Sequence, residues 1–252
     1  MIQGLYAAAT GMMAIEDRQA VIANNIANAM TPGFKRQIAV QTGFYELFFD
    51  QGRSKVAFDL DSAPGGGLKV TETFTDYGNG IVSTTGNPLD IALIGPAFMA
   101  VETPQGELFT RNGKLSVGQD GQLVTNEGFD VLSVDGNRID VSGGRVVIDG
   151  EGNVNSAGEF VGRIRLLEFQ DPHMLTREGF TLYSASPEAI DQASPPENTV
   201  VAAGAVELSN VQLPAEISQM MLALRAYAAN QQVINAIDET ASRLIDQVGA
   251  PF

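Results

Sequence analysis

LYAAATGMMAIEDRQAVIANNIAN, residues 5–28, is the stretch on which the reading of this chain turns. Leu5, Ala8, Met12, Ile15, Gln19, Ile22 and Ile26 fall at alternating intervals of three and four residues. That repeat belongs to a helix that packs along its length on other helices. Ala7, Ala8, Ala9, Ala14, Ala20, Ala23, Ala27 and Ala29 add strong intrinsic helix propensity. The only charges are Glu16, Asp17 and Arg18, so the segment lacks the charged outer face of an ordinary surface helix. Being small or apolar nearly all round, it is expected to be enclosed by neighbours on several sides. Asn24, Asn25 and Asn28 are the polar exceptions, and read either as a hydrated last turn or as a contact that sets helix register. A helix is expected over 3–29. Thr31-Pro32-Gly33 stops it, because Pro disfavours the α conformation before it and Gly permits a turn.

The other end of the chain repeats the pattern. Ile217, Met220, Leu224, Tyr227, Gln231, Ile234, Asp238, Ala241, Ile245 and Val248 carry the same spacing. Pro214 sits where a first helical turn tolerates it, and the helix is expected to run to about Val248, before Gly249-Ala250-Pro251. About 34 residues at 1.5 Å each make roughly 50 Å, too long to fold back onto one small domain.

Between these ends the periodicity changes. From Leu89 to about Tyr183 the chain reads as short strands joined by tight turns. Asp120-Gly121 separates Lys114–Val117 from Gln122–Thr125, and Asp135-Gly136 separates Asp130–Val134 from Arg138–Val141. Such dipeptides supply the positive φ angles that two-residue hairpins need, and their regular recurrence implies an antiparallel β-domain. Residues 34–82 hold an aromatic cluster of Phe34, Phe44, Tyr45, Leu47, Phe48 and Phe49, then Pro64-Gly65-Gly66-Gly67. No Lys-Ser/Thr follows those glycines, so they read as a hinge and not as a phosphate loop. Residues 186–205 read as a loop. The expected fold class is α+β, with N- and C-terminal α-helices packed as a coiled-coil-like inner domain and a central antiparallel all-β domain. The expected divisions are 1–34, 35–82, 83–195, 196–212 and 213–252.

Composition narrows the function. In 252 residues, 44% of them hydrophobic, there is room for a substantial core. The net charge of −15 argues against nucleic acid or an anionic membrane surface as partner and favours solubility. The chain has no Cys and no Trp, which excludes a disulfide framework, a thiolate nucleophile and a Cys-based zinc site. The first basic residue is Arg18, and Gln3, Gly4 and Thr10 interrupt the early apolar residues, so neither a secretory signal peptide nor membrane insertion is expected.

Residues that carry chemistry are sparse. His173, the one histidine, lies in the turn-like Asp171-Pro172-His173 and reads as a surface loop residue. Asp149, Glu151, Asn153 and Asn155 alternate like a calcium loop. However, Val154 stands where that loop needs Gly and Phe160 where it needs Glu, so hairpin turn chemistry is the simpler reading. Nothing selects one carboxylate pair for glycosidase work. No catalytic, cofactor-binding or metal-binding residue is expected.

Three parts of the chain carry a family likeness. Leu5-Tyr6-Ala7-Ala8-Ala9-Thr10-Gly11-Met12, Ala23-Asn24-Asn25-Ile26-Ala27-Asn28 and Thr31-Pro32-Gly33-Phe34-Lys35-Arg36 resemble the N-terminal signature of bacterial flagellar rod and hook proteins. Glu207-Leu208-Ser209-Asn210-Val211 and Leu224-Arg225-Ala226-Tyr227 resemble its C-terminal counterpart. Asn87-Pro88-Leu89-Asp90-Ile91-Ala92, Phe109-Thr110-Arg111-Asn112-Gly113 and Gly121-Gln122-Leu123-Val124-Thr125 resemble the β-domain of the rod members. The chain's length and its segment 135–170 are similar to the proximal rod protein, and Phe34-Lys35-Arg36-Gln37-Ile38-Ala39-Val40 is similar to the distal one. Gly95-Pro96-Ala97-Phe98-Met99 departs from the family's usual Gly-x-Gly-Phe-Phe.

The resemblance implies an axial, non-enzymatic subunit of the flagellar basal body. Such a subunit is exported unfolded through the flagellar type III apparatus without a cleaved signal. It then assembles with copies of itself and with neighbouring rod and hook proteins as a helical tube across the periplasm. The assembly interface is expected at Leu5, Met12, Ile15, Ile22, Asn25, Ile26, Asn28, Ile217, Met220, Leu224, Tyr227 and Ile234. One apolar seam is marginal against the entropy of ordering a long helix, so order in the ends is expected to be coupled to polymerisation. A reading from a different class remains beside this one: a secreted β-rich enzyme or carbohydrate binder with a helical stalk.

Overall fold

The computed structural model describes residues 2–43, 68–196 and 199–248. The aromatic run from Phe44 to Phe49 and the Pro64–Gly67 hinge lie outside the described residues. The chain forms two compact units. One comprises Met1–Ile26, Gln37–Phe74 and Gln212–Phe252; the other comprises Ala27–Arg36 and Thr75–Val211. The polypeptide therefore passes between units after Ile26, Arg36, Phe74 and Val211.

The first unit starts with α1 (Ile2–Ala27), followed by the two-stranded ribbon of β1 (Gln37–Gly43) and β2 (Leu68–Thr75). Past α1 the Thr31 N–H donates to the Asn28 carbonyl at 3.1 Å. Gly33 then turns at φ +70. A Cβ there would lie 2.5 Å from the Arg111 backbone carbon, so the position demands both the left-handed conformation and the missing side chain.

The second unit is built on antiparallel strands: β3 (Val82–Thr84), β4 (Ile91–Ile94), β5 (Phe98–Thr103), β6 (Gly106–Thr110), β7 (Leu115–Val117), β8 (Leu123–Thr125) and β9 (Asp130–Val131) come first. Then follow β10 (Val146–Ile148), β11 (Asn153–Ser156), β12 (Glu159–Arg163), β13 (Leu166–Leu167), β14 (Leu175–Arg177), β15 (Leu182–Ala185), α2 (Pro187–Asp191), β16 (Val200–Ala203) and β17 (Ala205–Glu207). The main sheet runs β14-β15-β6-β5-β9-β8-β7, with β13 also on β5, and β10-β11-β12 forms a separate three-stranded sheet. Both Asp-Gly turns stand where the sequence puts them: Val117 pairs with Leu123 across the first, and the Gly136 N–H donates to the Ser133 carbonyl at 2.8 Å in the second.

β5 shows why this sheet lies at the centre. Its side chains alternate between two apolar clusters: Met99 and Val101 join Ile91, Leu123, Val131 and Ile164, while Phe98 and Ala100 join Phe109, Phe169 and Tyr183. A strand's period of two thus buries both faces. The second cluster is bound by edge-to-face ring pairs, Phe109–Phe169 at 5.0 Å and Phe98–Tyr183 at 5.5 Å. Such pairs add about 0.5–1.5 kcal/mol each beyond area burial.

The stretch read as a loop, 186–205, contains a helix and a strand. Ser186 accepts from the Ala189 N–H and caps α2, with Pro at its first turn. β16 pairs with β4 from Val200–Ile94 to Ala203–Ile91. The reason is β4 itself. Ile91, Ala92 and Leu93 are all buried, and a buried strand needs a ladder partner for its backbone groups.

The last helix, α3 (Leu213–Val248), returns to the first unit and runs antiparallel to α1. A Cβ on Gly4 would lie 3.5 Å from Ile237 Cδ1 and one on Gly11 3.2 Å from Asn230 Nδ2, while Asn25 Nδ2 lies 3.3 Å from Glu216 Oε2. The seam between the helices keeps some of the expected positions and shifts others by one residue. Ala8, Ile15 and Ile22 remain, Gly11 and Asn25 replace Met12 and Ile26 as the more enclosed residues, Arg18 and Gln19 are both half-buried, and Leu5 is exposed. In α3, Met220, Tyr227 and Ile234 remain, while Glu216, Ala223 and Ile237 turn inward in place of Ile217, Leu224 and Asp238.

Candidate functional site

The helical unit presents an apolar surface that its own fold leaves open. Leu5 is 42% exposed, Ile217 46% and Leu224 53%. Tyr6 and Met13 on α1 and Leu213 and Met221 on α3 are exposed as well. Leu213, Ile217, Met221 and Leu224 recur at intervals of three and four and so lie on one side of α3. Four exposed aliphatics in a row mark a surface suited to being covered. Of the remaining interface candidates, Met12, Ile15, Ile26, Met220, Tyr227 and Ile234 are half-buried, and Ile22, Asn25 and Asn28 are buried.

Asn25 has a defined polar role. Its Nδ2 donates to the Gln37 carbonyl at 2.8 Å, and its Oδ1 accepts from the Gln37 N–H at 2.9 Å. With Glu216 alongside, one buried carboxamide ties α1, the start of β1 and the first turn of α3 together. Arg18 adds a hydrogen bond to Gln219 on the same seam.

The β-rich unit encloses a charged cluster that sequence reasoning missed. Lys35, Arg111 and Glu207 are each at most 2% exposed. Lys35 Nζ donates to Glu207 Oε1 at 2.8 Å, and Arg111 Nε donates to Glu207 Oε2 at 2.9 Å. The Gly80 N–H adds a third bond to Oε1 at 2.7 Å. Gly80 has to be glycine here, since a Cβ would lie 1.7 Å from the Leu208 carbonyl oxygen. The spare donors are used too: Lys35 on the Gly78 carbonyl, Arg111 on the carbonyls of Ala97 and Leu93. Burial pushes the Lys35 ammonium below its ordinary pKa, reinforced by Arg111 and opposed by Glu207. One carboxylate shared by two cations is stable only while all three are present.

Arg177 completes the surroundings. Its guanidinium lies 4.4 Å from the Phe34 ring centroid, and Nη1 donates to the Lys35 carbonyl at 3.0 Å. The stretches quoted for their family likeness supply the cluster. Thr31–Arg36 gives Lys35, Phe109–Gly113 gives Arg111, and Glu207–Val211 gives Glu207. The available signal was basic charge in the first two stretches and one acidic residue in the third, but no spacing rule joins residues so far apart.

Asp149 and His173 both make local contacts. Asp149 Oδ1 accepts from the N–H groups of Glu151 and Asn153, and Oδ2 from Asn153 Nδ2, closing the turn before β11. His173 is exposed, with its ring edge on Tyr77 at 5.6 Å. Among the described residues no helix is long and apolar enough to cross a membrane.

Comparison with known proteins covers both units. Residues 5–35 match the family model described as flagella basal body rod protein. Residues 92–156 match that of the flagellar hook protein FlgE/F/G D1 domain, and residues 202–247 that of the flagellar basal body rod FlgEFG protein C-terminal. The flagellar basal-body rod protein FlgG of Buchnera aphidicola subsp. Schizaphis graminum is 33% identical, over 97% of this chain and 99% of its own length. The flagellar basal-body rod protein FlgF of Mesorhizobium japonicum is 31% identical, over 97% and 98%. The flagellar hook-basal body complex protein FlhO of Bacillus subtilis is 30% identical, over 99% of both chains.

Proposed function

This chain belongs to the flagellar basal-body rod protein family, and on that premise we propose that it polymerises through its terminal helices into a helical tube that spans the periplasm, transmits torque and forms the export channel. Its partners are further copies of itself and neighbouring rod and hook proteins. It reaches them unfolded, through the flagellar type III apparatus and without a cleaved signal. The proximal rod is the favoured position, on the likeness of segment 135–170.

One observation carries this reading: the aliphatic stripe Leu213, Ile217, Met221 and Leu224 stands exposed on a helix whose most buried residues are Glu216 and Ala223. Burying one large aliphatic side chain is worth about 1.5–3 kcal/mol, so each neighbour that covers the stripe adds substantially to helix order. Ordering of the ends is then coupled to assembly.

The test is polymerisation of the purified chain followed by electron microscopy. Wild type is expected to form tubes with copies wound about a common axis. Leu224→Asp and Ile217→Asp are expected to stay monomeric, with the β-rich unit folded by near-UV circular dichroism. Tubes of normal yield from both variants would remove the helices from the interface. Discrete small oligomers from wild type would favour the stalked-binder reading instead.

A further inference from the structure

Three of the places where the chain passes between its units are pinned together inside the β-rich unit. The Arg36 N–H donates to Asn210 Oδ1 at 2.7 Å. Asn210 Nδ2 donates to the carbonyls of Asp76 at 2.8 Å and Gly78 at 3.1 Å. The Asp76 N–H donates back to the Arg36 carbonyl at 2.8 Å. Arg36, Asp76 and Asn210 thus form a closed ring of hydrogen bonds, and each lies within two residues of a passage between units. Behind the ring stands Glu207. Its carboxylate holds Lys35, Gly80 and Arg111, and its carbonyl accepts from the Gly33 N–H at 2.8 Å. The adjoining Leu208 N–H donates to the Ile81 carbonyl at 2.8 Å.

Apolar burial in these passing segments lies chiefly at Phe34 and at Tyr77, whose ring meets those of Phe98 and Tyr183. Asp76, Gly78, Asn79 and Ile81 are exposed. Polar bonds hold these exposed residues, and Arg111, which follows β6, ties their cluster to the sheet through the carbonyls of Leu93 and Ala97. Segments rich in exposed backbone and poor in apolar contacts are those that open locally, below the free energy of global unfolding.

We propose that Asn210 and Glu207 are positioning residues of a latch that orders the passing segments as one cooperative block, closed by Arg111 once the sheet has folded and released before the sheet unfolds. The device is independent of what the chain assembles into. In an unfolding chain the passages between units are freed together while the β core persists. In a folding chain they are the last part of the β-rich unit to settle.

Native-state amide exchange on the full-length free chain tests this. In wild type under a denaturant series, the amides of Gly33, Arg36, Asp76, Gly80 and Leu208 are expected to share one opening. That opening should be more frequent than the one exposing the amides of Ala100, Leu123 and Leu132. Asn210→Asp keeps the acceptor for Arg36 but loses both donated bonds, and should raise exchange across the whole block by about tenfold to a hundredfold. Glu207→Gln strands two buried cations and should raise it about a hundredfold or more. Lys35→Met in the Glu207→Gln background removes one stranded charge and should recover part of that loss, which mere space-filling would not do. The latch is overturned if block and core exchange through the same opening in wild type. It is also overturned if Asn210→Asp affects Asp76 alone, or if Lys35→Met adds a further loss.

Discussion

The two units of this chain bury their large apolar residues to different degrees. In the β-rich unit Phe98, Met99, Val101 and Phe109 are inside and the turns are outside, so the unit completes its own core. In the helical unit Ile22 is buried along with the small or polar Ala8, Gly11, Asn25 and Ala223, while Leu5, Ile217 and Leu224 face outward. A fold that satisfies itself and a fold that leaves its best adhesive residues exposed suit different tasks.

That contrast can be broken most sharply by equal truncations. Phe109→Ala should cost the free chain about 3–5 kcal/mol, read as the thermal midpoint of the β-rich unit. Leu224→Ala, on the open face of α3, should change it by less than about 0.5 kcal/mol. Similar losses from both would mean that the helical face is covered within one molecule. Gly11→Leu comes next. A side chain there meets Asn230 across the seam, so overpacking should cost about 1–3 kcal/mol and appear as lost helical circular dichroism with the β signal intact.

Tyr183 probes the β-rich unit from within. Its hydroxyl is buried without a hydrogen-bond partner among the described residues, so Tyr183→Phe should stabilise the unit by about 1 kcal/mol. Burial pushes the phenols of both Tyr183 and Tyr77 above their ordinary pKa. Raised acids keep their protons in the native state while the unfolded chain releases them. Their contribution is therefore complete below pH about 10 and is lost as pH rises beyond it. Tyr183→Phe should accordingly move the alkaline unfolding midpoint upward, measured by fluorescence or circular dichroism against pH. The smallest effect belongs to Ala157, the one non-glycine residue at positive φ among those described, at 53° in the β11–β12 turn. Ala157→Gly relieves that strain and should add about 0.5–1 kcal/mol.

Much of this architecture was legible because it rests on local rules. Alternating steps of three and four with abundant Ala identified α1, Asp120-Gly121 located the β7–β8 hairpin to within a residue, and Asp135-Gly136 located a turn closed by an isolated Leu132–Arg138 bridge where a second full hairpin was expected. The phase of the helical seam was less accessible. Ile217 and Glu216, or Leu224 and Ala223, occupy neighbouring faces of one helix, and apolar spacing favours the larger residue of each pair. The closer approach that Gly4 and Gly11 allow favours the smaller one, and only the partner helix decides. β16 was passed over because it owes its strand conformation to the buried β4, although Ser186-Pro187 did advertise the cap of α2. The Lys35–Arg111–Glu207 cluster could not be assembled from sequence at all, since chain topology alone brings its members together.

Asn25 has one more effect. By donating to and accepting from Gln37 it stands in for an adjoining strand, so the first residue of β1 has neither amide nor carbonyl free for a stranger's backbone. Unpaired ribbon edges invite runaway sheet growth wherever molecules are crowded. A helix side chain that seals the ribbon at this point guards against that hazard without adding a residue of its own.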